Sequence, residues 1–311
     1  MKDVIIRSDR LTVHANALGA ELKGVEMDGL EYLWQGDVDS YARTSPTLFP
    51  IVGRFLSDTY YVGDRPYGMQ LNGIVMDRNF RCASCASDRV VFQLEADERT
   101  RQSYPFDFAL TVGYAVQGDT LAVSYKVENR GSIPMPFCLG CHTAYNWPLL
   151  PGDDPQDYSL RFEKEEELES FNPFGWRQPF VQGRERPLSH ALFTNYTRSV
   201  TGLRSTWLEF GSSKHGRRVR IRRGSFSYLA MWTPHDHEAP LLCLEPCTGL
   251  QPGNHGVYRE FINLPAVHVE HRPFRRMPVH GAGVFPSGNS KILIISCGGQ
   301  LNRQQIAALG K

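Results

Sequence analysis

Apolar and polar positions alternate with a period of two over much of the chain, in short runs rich in Val, Ile, Leu and aromatic residues bounded by Gly, Pro, Asn and Asp. The runs at 90–94, 108–116, 121–127, 208–210, 219–223, 228–232, 241–244 and 291–296 are predicted strands. Gln117-Gly118-Asp119-Thr120 alone separates the second from the third, and so short a Gly-containing link predicts an antiparallel hairpin. Helical periodicity is scarce and is best at 303–309. The 20 prolines are scattered rather than gathered into a linker, and no repeat of fixed period is visible. The pattern predicts one all-β domain over 1–311. Its least regular part, 151–206, reads as an insertion over one rim, and the pattern assigns no clear packing to 261–311.

Composition agrees with a globular chain: 311 residues, 41% hydrophobic and 22% charged. Lys and Arg number 34 and Asp and Glu 33, a formal charge of +1, so no strong overall field would hold nucleic acid or an anionic membrane. The longest apolar runs, such as 292–295, fall far short of the roughly 18 residues that cross a bilayer. Met1-Lys2-Asp3-Val4-Ile5-Ile6-Arg7 lacks the length and cleavage site of a secretory signal, so a cytoplasmic location is expected. Seven cysteines, an odd count, then favour reduced thiols over a disulfide framework, and the sequon at Asn195 is expected to be idle.

Four motifs invite chemistry but read more simply as structure. Cys82-x-x-Cys85 and Cys138-x-x-Cys141 with His142 offer soft ligands, yet more than fifty residues of apparent strand separate the pairs, so no metal is expected. In the basic run at 214–223, alternation puts Arg218, Arg220 and Arg222 on one face and Val219 and Ile221 on the other, as in an edge strand with a solvated face. The acidic run at 163–169 lacks the turn glycine of a calcium loop and reads as solvated surface. His235-Asp236-His237 follows a proline and reads as an exposed turn.

Three segments are harder to explain as plain structure. Arg54 follows Gly53 at the end of the apolar run Leu48-Phe49-Pro50-Ile51-Val52, where a guanidinium can present a fixed fork to hydroxyls. His142 is flanked by small residues and followed by Tyr145 and Asn146. Glu245 ends the apolar strand Leu241-Leu242-Cys243-Leu244. An acid, a base and an anchoring cation at the ends of elements suit proton transfer on a polar, uncharged substrate. Nucleophilic catalysis is less well served, because no Gly-x-Ser-x-Gly elbow is found.

The same segments carry a resemblance. Gly19-Ala20-Glu21-Leu22, Glu31-Tyr32-Leu33-Trp34-Gln35-Gly36-Asp37, 48–54, Tyr104-Pro105-Phe106, Asn129, Met135-Pro136-Phe137, Gly140, His142, 228–232 and Glu245-Pro246 occur in the order found in the galactose mutarotase-like superfamily. Over about residues 18–250 the chain resembles its aldose 1-epimerase-related, LacX-like branch. The resemblance implies an antiparallel β-supersandwich and interconversion of the α and β anomers of an aldohexose, free or phosphorylated, with no metal or organic cofactor. Glu245 resembles the general base for the C1 hydroxyl, His142 the general acid for the ring oxygen, and Arg54 the sugar-anchoring arginine. Trp232 is expected, on physical grounds, to form a platform under the apolar face of a pyranose. Asn72 stands where the family has a second substrate-binding histidine, and Asn146 is counted with the substrate-binding set. The histidine lost at Asn72 leaves two function classes: an epimerase, weakened or intact, and a non-catalytic carbohydrate-binding or sensing protein.

Overall fold

The computed structural model describes residues 3–172, 175–194, 197–250 and 290–297. The strands form three sheets. A four-stranded sheet comes from Val4–Arg7, Leu11–Asn16, Glu21–Met27 and Leu30–Glu31, and a small hairpin from Thr59–Val62 and Arg65–Gly68. A 15-stranded sheet takes in the rest, and its strand pairings are antiparallel. A sheet this wide cannot stay flat, because each strand step adds twist in the same sense. The main core joins Ile6, Val13 and Val25 of the four-stranded sheet to Phe92, Leu110, Val112, Tyr145 and Leu242 of the large one. The single α-helix among the described residues, Glu98–Ser103, is a short connector, and none is long and apolar enough to cross a membrane.

The predicted strands are present as Arg89–Glu95, Phe108–Gln117, Thr120–Asn129, Trp207–Ser212, Arg218–Arg222, Tyr228–Trp232, Leu241–Cys247 and Ser290–Cys297. The predicted hairpin closes with Gln117 opposite Thr120, so Gly118 and Asp119 alone make the turn, and Gly118 takes the positive φ that it requires. Ser290–Cys297 pairs with Thr120–Asn129 on one side and Arg218–Arg222 on the other. It therefore bridges two halves of the sheet. The helix expected at 303–309 and the sequon at Asn195 lie outside the described residues.

Three sequence expectations are corrected. The 151–206 region, expected to be irregular, contains a hairpin of long strands, Tyr158–Phe171 and Arg177–Pro187. Exposed charges at Lys164, Glu165, Glu167 and Glu169 hide the alternation, while Phe162, Glu166, Leu168 and Ser170 point inward. The acidic run is thus not wholly solvated surface: Glu166 is buried and accepts hydrogen bonds from the Arg204 and Ser205 amides. Arg218–Arg222 is not an edge strand, since it has a neighbour on each side. Its alternation holds, with Val219 and Ile221 buried, but the carboxylate of Glu209 on the adjacent strand engages both Arg218 and Arg220.

Candidate active site

The site begins with strand register. Leu241–Cys247 pairs Thr143 with Leu244 and Gly140 with Cys247, and both pairs belong to one uninterrupted register. That register sets His142 directly opposite Glu245. Opposed residues on neighbouring antiparallel strands share a face, with Cβ atoms about 4.5 to 5.5 Å apart. The His142 amide donates to the Pro46 carbonyl on the other side, so His142 and Glu245 are not linked by backbone hydrogen bonds and sit at the closer of the two pair spacings. Pro246 brings no N–H to the step beside them, and the facing strand is broken there into Gly140–Cys141 and Thr143–Asn146. A Cβ on Gly140 would lie 2.9 Å from the Cys247 Cβ, so the close approach requires glycine.

The third strand, Tyr228–Trp232, pairs Ala230 with Glu245 and Trp232 with Cys243. Two rows therefore lie side by side on one face: Ala230, Glu245 and His142, then Trp232, Cys243 and Ala144. Leu242 and Leu244 point the other way into the main core, whereas Leu241, Cys243 and Ala144 pack with Trp34, Tyr41 and Trp232 in a separate cluster. The site occupies the sheet face turned away from the main core, and small alanines flank its ionisable groups.

The His142 Nε2 lies 3.4 Å from the Glu245 Oε1, with the side chains 11% and 6% exposed. Tyr41 stacks on the imidazole at 4.9 Å between centroids, and Trp232 meets it edge-on at 5.8 Å. The Trp34 indole N–H holds the Tyr41 carbonyl at 2.8 Å, which fixes the loop over the site. Burial, which disfavours charge, pushes the Glu245 carboxyl up to about 8 and the His142 imidazolium down to about 4. Between those values the pair holds one proton, in its resting form on the carboxyl. The same burial, with Cys243 and Glu245 nearby, raises the Tyr41 phenol well above its ordinary value. The His142 Nδ1 is buried without a partner in another residue. The Cys243 thiol, the imidazole and the carboxylate offer donor atoms within 4.8 Å of one another.

The structure thus brings together His142, Glu245 and Trp232. Arg54 and Asn72 are each engaged by a near neighbour in the chain fold. Asn72 adopts a positive φ, its Oδ1 accepts from the Gly53 amide at 2.8 Å and its own amide donates to the Gly53 carbonyl at 2.8 Å. The Arg54 side chain beyond that clamp is 60% exposed and forks onto Asp58, at 2.5 and 3.0 Å. A cavity of about 530 Å³ adjoins this turn, lined in part by Asp58, Gln70, Asp77 and Arg78. Asn146 spends its Nδ2 on the Glu31 carbonyl at 2.9 Å. Sequence reasoning missed Tyr41 and Cys243. Cys243 was within reach, because a residue two before Glu245 on a strand shares its face. Tyr41 comes from a polar loop with no periodic signal.

Known proteins with this architecture define the class. The fold matches a galactose mutarotase-related enzyme from Lactobacillus acidophilus with a TM-score of 0.83 at 20% identity, covering 96% of this chain and 98% of that one. It also matches a galactose mutarotase-like protein from Lactobacillus casei, with a TM-score of 0.80 at 26% identity and coverage of 96% and 99%. The chain is thus a galactose mutarotase-like β-sandwich. The aldose 1-epimerase family profile matches residues 2–252, and the chain belongs to that family. The chromosomal LacX protein of Lactococcus lactis subsp. lactis is 30% identical over 261 residues, 79% of this chain and 87% of the relative.

Proposed function

We propose that this protein is an aldose 1-epimerase that interconverts the α and β anomers of a free hexose. One observation carries the reading: a buried carboxyl and a buried imidazole 3.4 Å apart on an aromatic-walled face. Ring opening of a cyclic hemiacetal removes a proton from the C1 hydroxyl and delivers one to the ring oxygen. Both oxygens are bonded to C1, so the groups serving them must themselves be close neighbours. Glu245 takes the hydroxyl proton and His142 protonates the ring oxygen; the roles reverse when the free aldehyde rotates and closes from its other face. The resting proton sits on Glu245, so this direction requires it to pass to His142 as the sugar's oxygens enter. Trp232 presents an apolar wall to the pyranose.

A free rather than phosphorylated sugar fits best, because Glu209 already occupies Arg218 and Arg220. A second reading, a carbohydrate binder without catalysis, draws on the engagement of Arg54 by Asp58 and of Asn72 by Gly53. Polarimetry separates the two. Freshly dissolved α-glucose or α-galactose should reach equilibrium rotation faster with the protein than in buffer. Glu245→Gln should remove about 10² to 10⁴ of the excess rate. A sugar-binding wild type with no excess rate would establish the binder.

A further inference from the structure

The proton-sharing pair has a third neighbour that the proposed reaction does not use. Cys243 is fully buried, opposite Ala144 and Trp232, and its thiol lies within 4.8 Å of the imidazole nitrogen and carboxylate oxygen. The three donors are imidazole, thiol and carboxylate, the set that zinc and its soft divalent congeners take. Two donors on a tetrahedral zinc lie about 3.3 to 3.7 Å apart, as bond lengths of about 2.0 to 2.3 Å require. The His142 to Glu245 separation of 3.4 Å already falls in that range. The thiol has only a short way to move, and Ala144 beside it and Ala230 beside Glu245 add little bulk.

We infer that His142, Cys243 and Glu245 form a binding site for a soft divalent cation of the zinc class, and that occupancy takes the acid/base pair out of service. The metal displaces the thiol proton and the carboxyl proton to water. Thiolate and carboxylate then balance the dication, leaving no net charge in the buried site. Three protein ligands leave a fourth position for water or a sugar hydroxyl. The rigid strands supply the selectivity: a donor triangle this tight, with sulfur in it, does not suit calcium or magnesium, which take six or more oxygens. The loss of turnover rests on the epimerase reading, whereas metal binding does not.

Cobalt is the direct probe. With Cys82 and Cys85, the exposed thiols among the described residues, replaced by serine, metal-free protein titrated with Co²⁺ should develop a thiolate-to-cobalt charge-transfer band and intense visible bands of tetrahedral cobalt, saturating at one equivalent. Zn²⁺ should bleach both. Cys243→Ser should lose the charge-transfer band, with circular dichroism reporting whether the strands persist. X-ray absorption on the zinc-loaded parent chain, which needs no change at Cys243, should report one sulfur among nitrogen and oxygen ligands. No cobalt spectrum, a spectrum that survives Cys243→Ser, or a sulfur-free zinc shell would each overturn the site. If cobalt binds as described while the protein never accelerates mutarotation, the site stands and the epimerase reading falls.

Discussion

Two buried glutamates on neighbouring parts of the same large sheet are treated in opposite ways. Glu209 accepts from Arg218 at 3.1 Å and from the Nε and Nη2 of Arg220 at 2.9 and 2.6 Å, and the Arg220 guanidinium lies 4.3 Å over the Trp207 ring. Glu166, farther along, is met by two backbone amides. Glu245 is buried to a similar depth, yet among the described residues it receives no arginine and no backbone amide; it faces an imidazole, a thiol and aromatic rings. The structural carboxylates are met by donors built around them. The carboxyl at the site is left short of donors, and so it holds a proton that it can give away. Withheld solvation, more than added contacts, distinguishes the proposed reactive position.

Substitutions sharpen the contrast in descending order of effect. Glu245→Gln should cost about 10² to 10⁴ in mutarotation rate with the fold retained, whereas Glu209→Gln should leave the rate within about twofold, both read by polarimetry. Equal losses from both would dissolve the distinction. Glu209→Gln should instead lower unfolding free energy by about 1 to 3 kcal/mol in urea, because two partly buried guanidinium groups lose their anion.

The pH response should divide the two regions as well. The Glu245 pKa is higher folded, at about 8, than its ordinary 4.5, so the unfolded chain gives up that proton first and stability falls as pH rises from 4.5 to 8. The slope is up to about 1.4 kcal/mol per pH unit for this one group. Glu245→Gln should flatten it and leave the variant more stable than the parent at pH 8, in thermal or urea unfolding. The His142 pKa is lower folded, at about 4, than its ordinary 6.5, so its contribution is lost instead as pH falls from 6.5. Mutarotation should peak between those limits. Below about 4 the pair carries two protons and has no acceptor, and above about 8 it has no proton to give. A rate still rising at pH 9 would contradict the one-proton pair.

The smallest effects separate two tryptophans. Trp232→Ala should raise KM about tenfold with little change in stability. Trp207→Ala should leave KM unaltered and cost about 0.5 to 1 kcal/mol through the lost contact with Arg220.

The alternation of Val90, Phe92 and Leu94, or of Val219 and Ile221, was legible without coordinates, because which way a side chain points on a strand depends only on its parity. The Gln117–Thr120 turn was legible for the same local reason. His142 and Glu245 were singled out by residue type, by position at the ends of elements and by ordered motifs. Their meeting was implied by the resemblance alone and not by local pattern, since it depends on which strands pair and in what register across about a hundred residues of intervening chain. Nor could sequence read the long hairpin at Tyr158–Phe171, whose outward charges cover its inward face, or the placement of Tyr41, which belongs to an aperiodic loop.

The sequence by itself determined the β character, the inward and outward positions and the chemical identity of the proposed acid/base groups, all properties of neighbouring residues. Tertiary structure alone decided that an imidazole, a carboxyl and a thiol share one buried face, that Asp58 engages Arg54 and that Gly53 engages Asn72. Register and desolvation are set by contacts between distant segments, and no short stretch of chain encodes them.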